Sequence, residues 1–168
     1  VLDLIAEFDF VDPFHIWVGD MVVPFDRSNL SGPWGLVTWN YTLDGAPLYV
    51  SGPYGRDVGA TIWGDIEQGM FKYHLSVLHL DENGDRPAYT GRLTLNLLDG
   101  EPGYYNASTY YGDKNILALG VGVQYQADGS VVGTEVDDHV GFTGDLLAEY
   151  NLAGAGTLTG EVGYYHTS

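Results

Sequence analysis

The side chains of this sequence best suited to hold a metal or move a proton are five histidines, His15, His74, His79, His139 and His166. Their spacing gives them neither task. No two stand at a helical ligand spacing, and His74 and His79, five apart in a strand pattern, fall on opposite faces. Ser76 shares a polar face with His74, but a nucleophile needs its base within hydrogen-bond reach and a third group to orient that base. Such coincidences are common on a polar wall, and the chain reads as a non-enzyme. Asp81, Asn83 and Asp85 are spaced like the opening of a calcium loop, yet Arg92 occupies the place of the closing bidentate Glu. That stretch reads as a turn built on Asn83-Gly84. Gly120-Val121-Gly122 lies in a strand pattern, where small inward residues leave space or admit an inturned loop rather than cradle a phosphate. The sequons at Asn40-Tyr41-Thr42 and Asn106-Ala107-Ser108 carry little weight. No metal and no cofactor is assigned.

What remains is a set of carboxylates, and the elements that carry them repeat with period two. Eight segments alternate, at residues 2–10, 14–23, 56–66, 71–77, 88–98, 116–126, 139–150 and 157–166. The first is the cleanest: Leu2, Leu4, Ala6, Phe8 and Phe10 on one side, Asp3, Ile5, Glu7 and Asp9 on the other. In 14–23 the face reading sets Phe14, Ile16, Val18 and Val22 together, against the pull of Trp17 and Met21. Gln68-Gly69 predicts a tight hairpin between the third and fourth segments. Short turns fall after Phe10, Glu67 and Tyr150. Longer connections fall at 24–55, 81–87 and 127–138, and one connection breaks the parity: 99–115 is long where a short turn is due, and reads as strand extension through its tyrosines.

Composition narrows the class. Twenty-three acids against six bases give a net charge of -17, which repels nucleic acid. There are 24 glycines, 13 tyrosines and no cysteine, which removes disulfides and thiolate sites and suits passage through an oxidising periplasm. No run approaches the roughly 18 apolar residues of a spanning helix, so a membrane location requires a barrel. The chain opens in a strand pattern without a signal peptide, as a processed or internal segment does.

On the polar faces Asp3, Glu7, Asp9, Asp57, Asp65, Asp145, Glu149 and Glu161 are opposed only by Lys72 and Arg92. Unpaired carboxylates in a dry interior cost roughly several kcal/mol each, which predicts a wet face. The apolar faces end on Tyr73, Tyr89, Tyr125, Tyr150 and Tyr164, as interfacial girdles do. The expected fold is therefore all-β, an antiparallel transmembrane β-barrel forming one domain over 1–168, with a water-filled lumen lined by Asp3, Glu7, Asp57, Asp65, Lys72, Arg92, Asp145, Glu149 and Glu161. A small closed barrel fills its interior with side chains, so a wet lumen implies more strands than the eight visible here. The absence of a terminal aromatic gives the same expectation of an internal part of a longer barrel.

FHIWVGDMVVPFDR at 14–27, GPYGRDVGATIWGDI at 52–66, GRLTLNLLDGEPGYYN and GDKNILALGVGVQYQ together resemble porins of the phosphate-selective O/P type. The resemblance covers most of the chain. It implies a barrel of about 16 strands, a homotrimer in the bacterial outer membrane among lipid and lipopolysaccharide, and an external loop folded inward as a constriction. By position that loop is 24–55, with Asp26, Arg27 and Arg56 at its ends. Phosphate selection calls for a ladder of arginines and lysines, and this loop carries Arg27 alone, with Arg56 at its exit. The expected function is passive diffusion of ions and small hydrophilic solutes, weakly preferring cations. Two other classes stay open: a non-conducting structural barrel partnered with other envelope proteins, and a soluble β-sandwich or lipocalin-like binding domain.

Overall fold

A computed structural model describes residues 3–32, 55–80, 86–132 and 135–168 of the chain. The alternating segments form one eight-stranded antiparallel sheet in strict meander order. Its strands are β1 (Leu4–Val11), β2 (Phe14–Val22), β3 (Arg56–Ile66), β4 (Phe71–Leu78), β5 (Ala88–Asn96), β6 (Ile116–Val132), β7 (Glu135–Asn151) and β8 (Thr157–Thr167). The sheet is not closed, and β1 and β8 are its two edges among the described residues.

Each strand presents alternate side chains to opposite faces, and the register aligns like with like. One polar row runs Asp65, Lys72, Thr94, Gly120, Asp145, Gly163. The next runs His15, Trp63, His74, Arg92, Gly122, Thr143, Tyr165. This polar face is the buried one, with Thr61, Lys72, His74, Arg92, Thr94, Gln124 and Thr143 all nearly inaccessible. The apolar face is exposed: Leu75, Tyr89, Leu93, Val121, Val123, Phe142 and Tyr150 each show between 42% and 56% of their surface. Of the predicted girdle, Tyr89, Tyr125, Tyr150 and Tyr164 are exposed, and Tyr73 donates to the Pro13 carbonyl at 2.7 Å.

The Gln68-Gly69 turn forms as expected, with both residues left-handed at φ 58° and 83°. Three local expectations need correction. The expected long connection at 127–138 is largely strand: past an irregularity after Gln126 the pairing resumes at Ser130 with Asp137, and the Asp138 carboxylate takes the Asp128 N–H and the Tyr125 hydroxyl. In β2 the alternation fails at its end, where Met21 and Val22 both join Trp17, Leu30, Trp63 and Tyr104 in a core on the polar side. Finally, 99–115 does not extend the strands.

Two segments cover the polar face. One follows β2 and contains α1 (Arg27–Ser31), a single turn whose N-cap Asp26 accepts the Asn29 N–H at 2.9 Å and which ends at Gly32, φ 60°. The Asn29 amide donates to the carbonyls of Val23 and Gly55, both at 2.8 Å, tying the two ends of the β2–β3 connection together. The other is 99–115, entering from the opposite end of the sheet. It turns inward because Gly69 and Gly100 lie so close to each other's segment that a Cβ at either would strike backbone. Glu101 N–H then donates to Gly69 O at 3.2 Å, and Gly103 N–H to Asp65 Oδ2 at 2.8 Å.

Candidate functional site

The two covering segments meet over the middle of the sheet, and the charges collect there. Arg27 and Glu101 form a bidentate pair, Nη1 to Oε1 at 2.8 Å and Nη2 to Oε2 at 2.7 Å, with neither side chain exposed. Arg92 forms a second such pair with Asp145, at 2.7 and 2.9 Å, and Arg27 Nε approaches Asp145 Oδ1 at 3.6 Å. Arg27 Nη1 also donates to Ala107 O at 2.7 Å, and the Tyr110 hydroxyl to Glu101 Oε1 at 2.6 Å. Burial pushes the Glu101 carboxyl up, but Arg27, Tyr110 and Lys72 together hold it below its ordinary value. Burial pushes the Tyr110 phenol up, and Glu101 adds to that.

The expected pore-lining residues divide into covered and open. Asp65, Lys72, Arg92, Asp145 and Glu149 lie beneath the covering segments. Lys72 Nζ donates to Tyr105 O at 3.0 Å and Asn106 Oδ1 at 2.5 Å. Glu149 accepts Thr109 and Thr159 hydroxyls, each at 2.8 Å, and the N–H groups of Tyr110 and Gly112. Asp57 takes His79 Nδ1 at 2.5 Å, because the left-handed backbone of His79 brings its ring round to the polar side; the reading that set His74 and His79 on opposite faces fails there. Towards the edges, Asp3 pairs with Arg56 and receives the Tyr105 hydroxyl at 3.4 Å, Glu7 and Asp9 are exposed, and Glu161 is half-buried. Asp26 is fully buried and accepts the Tyr165 hydroxyl.

The expectation of a wet wall is thus corrected for its central part. The charge count sets eight acids against two bases, whereas Arg27 at Asp145, Arg56 at Asp3 and a series of backbone N–H groups from 99–115 also reach these carboxylates. Glu101, Tyr104, Asn106, Ser108 and Tyr110 were the residues missed. Their signal was present in a segment of glycines and tyrosines too long for its place in the meander.

An aromatic stack closes the β1–β3 side: Trp17 lies on Tyr104 at 4.3 Å, His15 on Trp63 at 4.0 Å, and the two indoles meet edge to face at 5.4 Å. His74 Nε2 donates to Tyr104 O at 3.1 Å, while the Ser76 hydroxyl pairs with Thr61 at 2.7 Å, so Ser76 and His74 do not form the nucleophile and base weighed above. Among the described residues no cluster of three metal-ligating side chains occurs, and the 81–85 run and the Asn40 sequon lie outside them. The small residues of β6 admit the start of the β2–β3 connection: a Cβ at Gly122 would collide with the Phe25 carbonyl, and one at Gly120 with the Arg92–Asp145 pair, while residues 33–54 of the expected 24–55 loop lie outside the described residues.

Comparison with family models, with curated proteins and with solved structures finds no match to this chain.

Proposed function

We propose that this chain is part of an outer-membrane β-barrel that lets ions and small hydrophilic solutes diffuse passively. The observation that carries the reading is the inverted distribution of polarity: the strands turn apolar side chains outward and polar ones inward. A water-soluble sandwich or lipocalin-like barrel would leave that outer surface, with Leu75, Leu93, Val121, Val123 and Phe142 all exposed on it, facing water. In a bilayer the same surface is in its proper solvent, with tyrosines at strand ends and each interior strand paired with both of its neighbours. The free edges of β1 and β8 suit further strands, completing a barrel of about 16.

On this reading the tight-turn end faces the periplasm, and solutes pass along the open side of the covering segments, past Glu7, Asp9 and Glu161. The accessible acids there give a weak preference for cations, and a homotrimer within lipid and lipopolysaccharide is the expected assembly. A structural, non-conducting barrel is the second reading, favoured by the burial of Lys72, Arg92 and Asp145 beneath the covering segments. Solute efflux from vesicles reconstituted with the full-length protein separates the two. The pore reading predicts release of small sugars and salts with a sharp size limit, and retention by vesicles holding correctly folded barrel would leave the structural reading.

A further inference from the structure

The covering segments enter from opposite ends of the sheet and are joined across its middle. Besides the buried Arg27–Glu101 pair, Asn106 N–H donates to Leu30 O at 3.3 Å, the Tyr104 hydroxyl to Val22 O at 2.7 Å, and the hydroxyls of Ser31 and Ser108 lie 3.3 Å apart. The wall beneath holds 99–115 as well, through Asp65, Lys72, His74 and Glu149, although not every polar group of the wall is engaged. Thr90 Oγ1, Thr94 Oγ1, Thr143 Oγ1, both amide atoms of Gln124 and His74 Nδ1 are buried with no hydrogen-bond partner among the described residues. The strand ladder does not depend on the cover, because the sheet is paired strand to strand throughout. So the cover can shift without unfolding the sheet, and the buried charged pair where its two halves meet fixes how far 99–115 reaches across the face.

We propose that residues 99–115 form a plug entering the lumen from the tight-turn end, held by the Arg27–Glu101 latch to the segment entering from the other end, and that this latch sets the width of the pore. Arg27 and Glu101 are then positioning residues: they touch no solute and act by placing the plug. The inference rests on the pore reading and extends it, because the constriction expected from sequence involves the β2–β3 connection alone.

The chain has no cysteine, so a single engineered pair can hold the two segments by a bond independent of the latch. Ser31→Cys with Ser108→Cys suits this, given the 3.3 Å between their hydroxyls. Glu101→Gln is added in the same background to break the bidentate pair while keeping its shape, and single-channel conductance is compared in the oxidised and reduced forms of one protein. In the Glu101→Gln protein the reduced form should conduct about two-fold or more above the oxidised form, reversibly; with Glu101 intact the two forms should conduct alike. Equal conductance of the oxidised and reduced Glu101→Gln protein would overturn the latch. Absence of conductance from every form, with the barrel folded, would instead overturn the pore reading. The latch is then decided by protease cleavage within 99–115 in detergent: faster cleavage in the reduced Glu101→Gln form supports it, and equal rates refute it.

Discussion

The fit between the β2–β3 segment and the wall can be tested with one methyl group. At Gly122, on the inward face of β6, a Cβ would sit well inside contact with the Phe25 carbonyl and 2.7 Å from Thr143 Cγ2. Reaching ordinary separation requires the carbonyl to retreat by more than about 1 Å. That carbonyl also accepts from Arg92 Nη1 at 3.3 Å, and its neighbours lead directly into Asp26 and Arg27. Since the colliding atom belongs to backbone, no side-chain rotation relieves it, and Gly122→Ala should destabilise by about 1–3 kcal/mol. Gly144→Ala is the control: it lies one strand away on the outward face, and its Cβ would meet nothing nearer than the Gly120 carbonyl at 4.0 Å. Its effect should stay within about 0.5 kcal/mol. Equilibrium urea unfolding of both variants, refolded into lipid vesicles, gives the comparison. Equal effects would show that the segment does not rest against β6, and the site built on that contact would fall with it.

Other outcomes follow from the same geometry. Val121→Arg and Val123→Arg, on the exposed apolar face, should weaken folding into a bilayer by about 2–4 kcal/mol near its midplane; unimpaired folding in lipid would place that face elsewhere. Asp145→Asn leaves Arg92 and Arg27 buried without their shared carboxylate and should cost about 3–5 kcal/mol, whereas Arg56→Gln removes a partly exposed pair and should cost at most about 1 kcal/mol in the same urea titration. Glu101 is held low in the fold, so its contribution is complete above its unfolded value of about 4.3 and fades as pH falls through the lower folded one. Cleavage of 99–115 by an acid-active protease should accordingly rise only below about pH 4, and a rise between about pH 5 and 7 would contradict the assignment. Tyr105 limits the alkaline side: burial and then Asp3 push it up to about 12, so its contribution is complete below about 10 and is lost as pH climbs towards that value.

The strands were legible because each carries its own period: Tyr89, Leu93 and Leu95 against Thr90, Arg92 and Thr94 needs no tertiary information. Turns were legible where a residue demands a left-handed backbone, as at Gly69, and the inward glycines of β6 pointed correctly to something pressed against them. What the pattern could not supply was the partner. Glu101 sits 74 residues from Arg27, and no local rule couples them. Asp65 is satisfied by a backbone N–H at Gly103, which a count of side-chain charges cannot register. The same blindness explains β2, where Val22, on the outward parity of Phe14 and Val18, is buried with Leu30 and Tyr104, which arrive from elsewhere. A connection longer than its parity allows, as at 99–115, and inward glycines such as Gly120 and Gly122 are the traces such packing leaves in sequence.

Whether the inverted sheet belongs to a conducting outer-membrane barrel is decided by planar-bilayer recording of the full-length, detergent-purified protein in a salt gradient. A conducting barrel with Glu7 and Asp9 exposed on its path gives steady unitary steps with a reversal potential on the cation side. Silence from protein shown to be folded and inserted would contradict it, and steps reversing on the anion side would keep the pore while removing Glu7, Asp9 and Glu161 as the source of its selectivity.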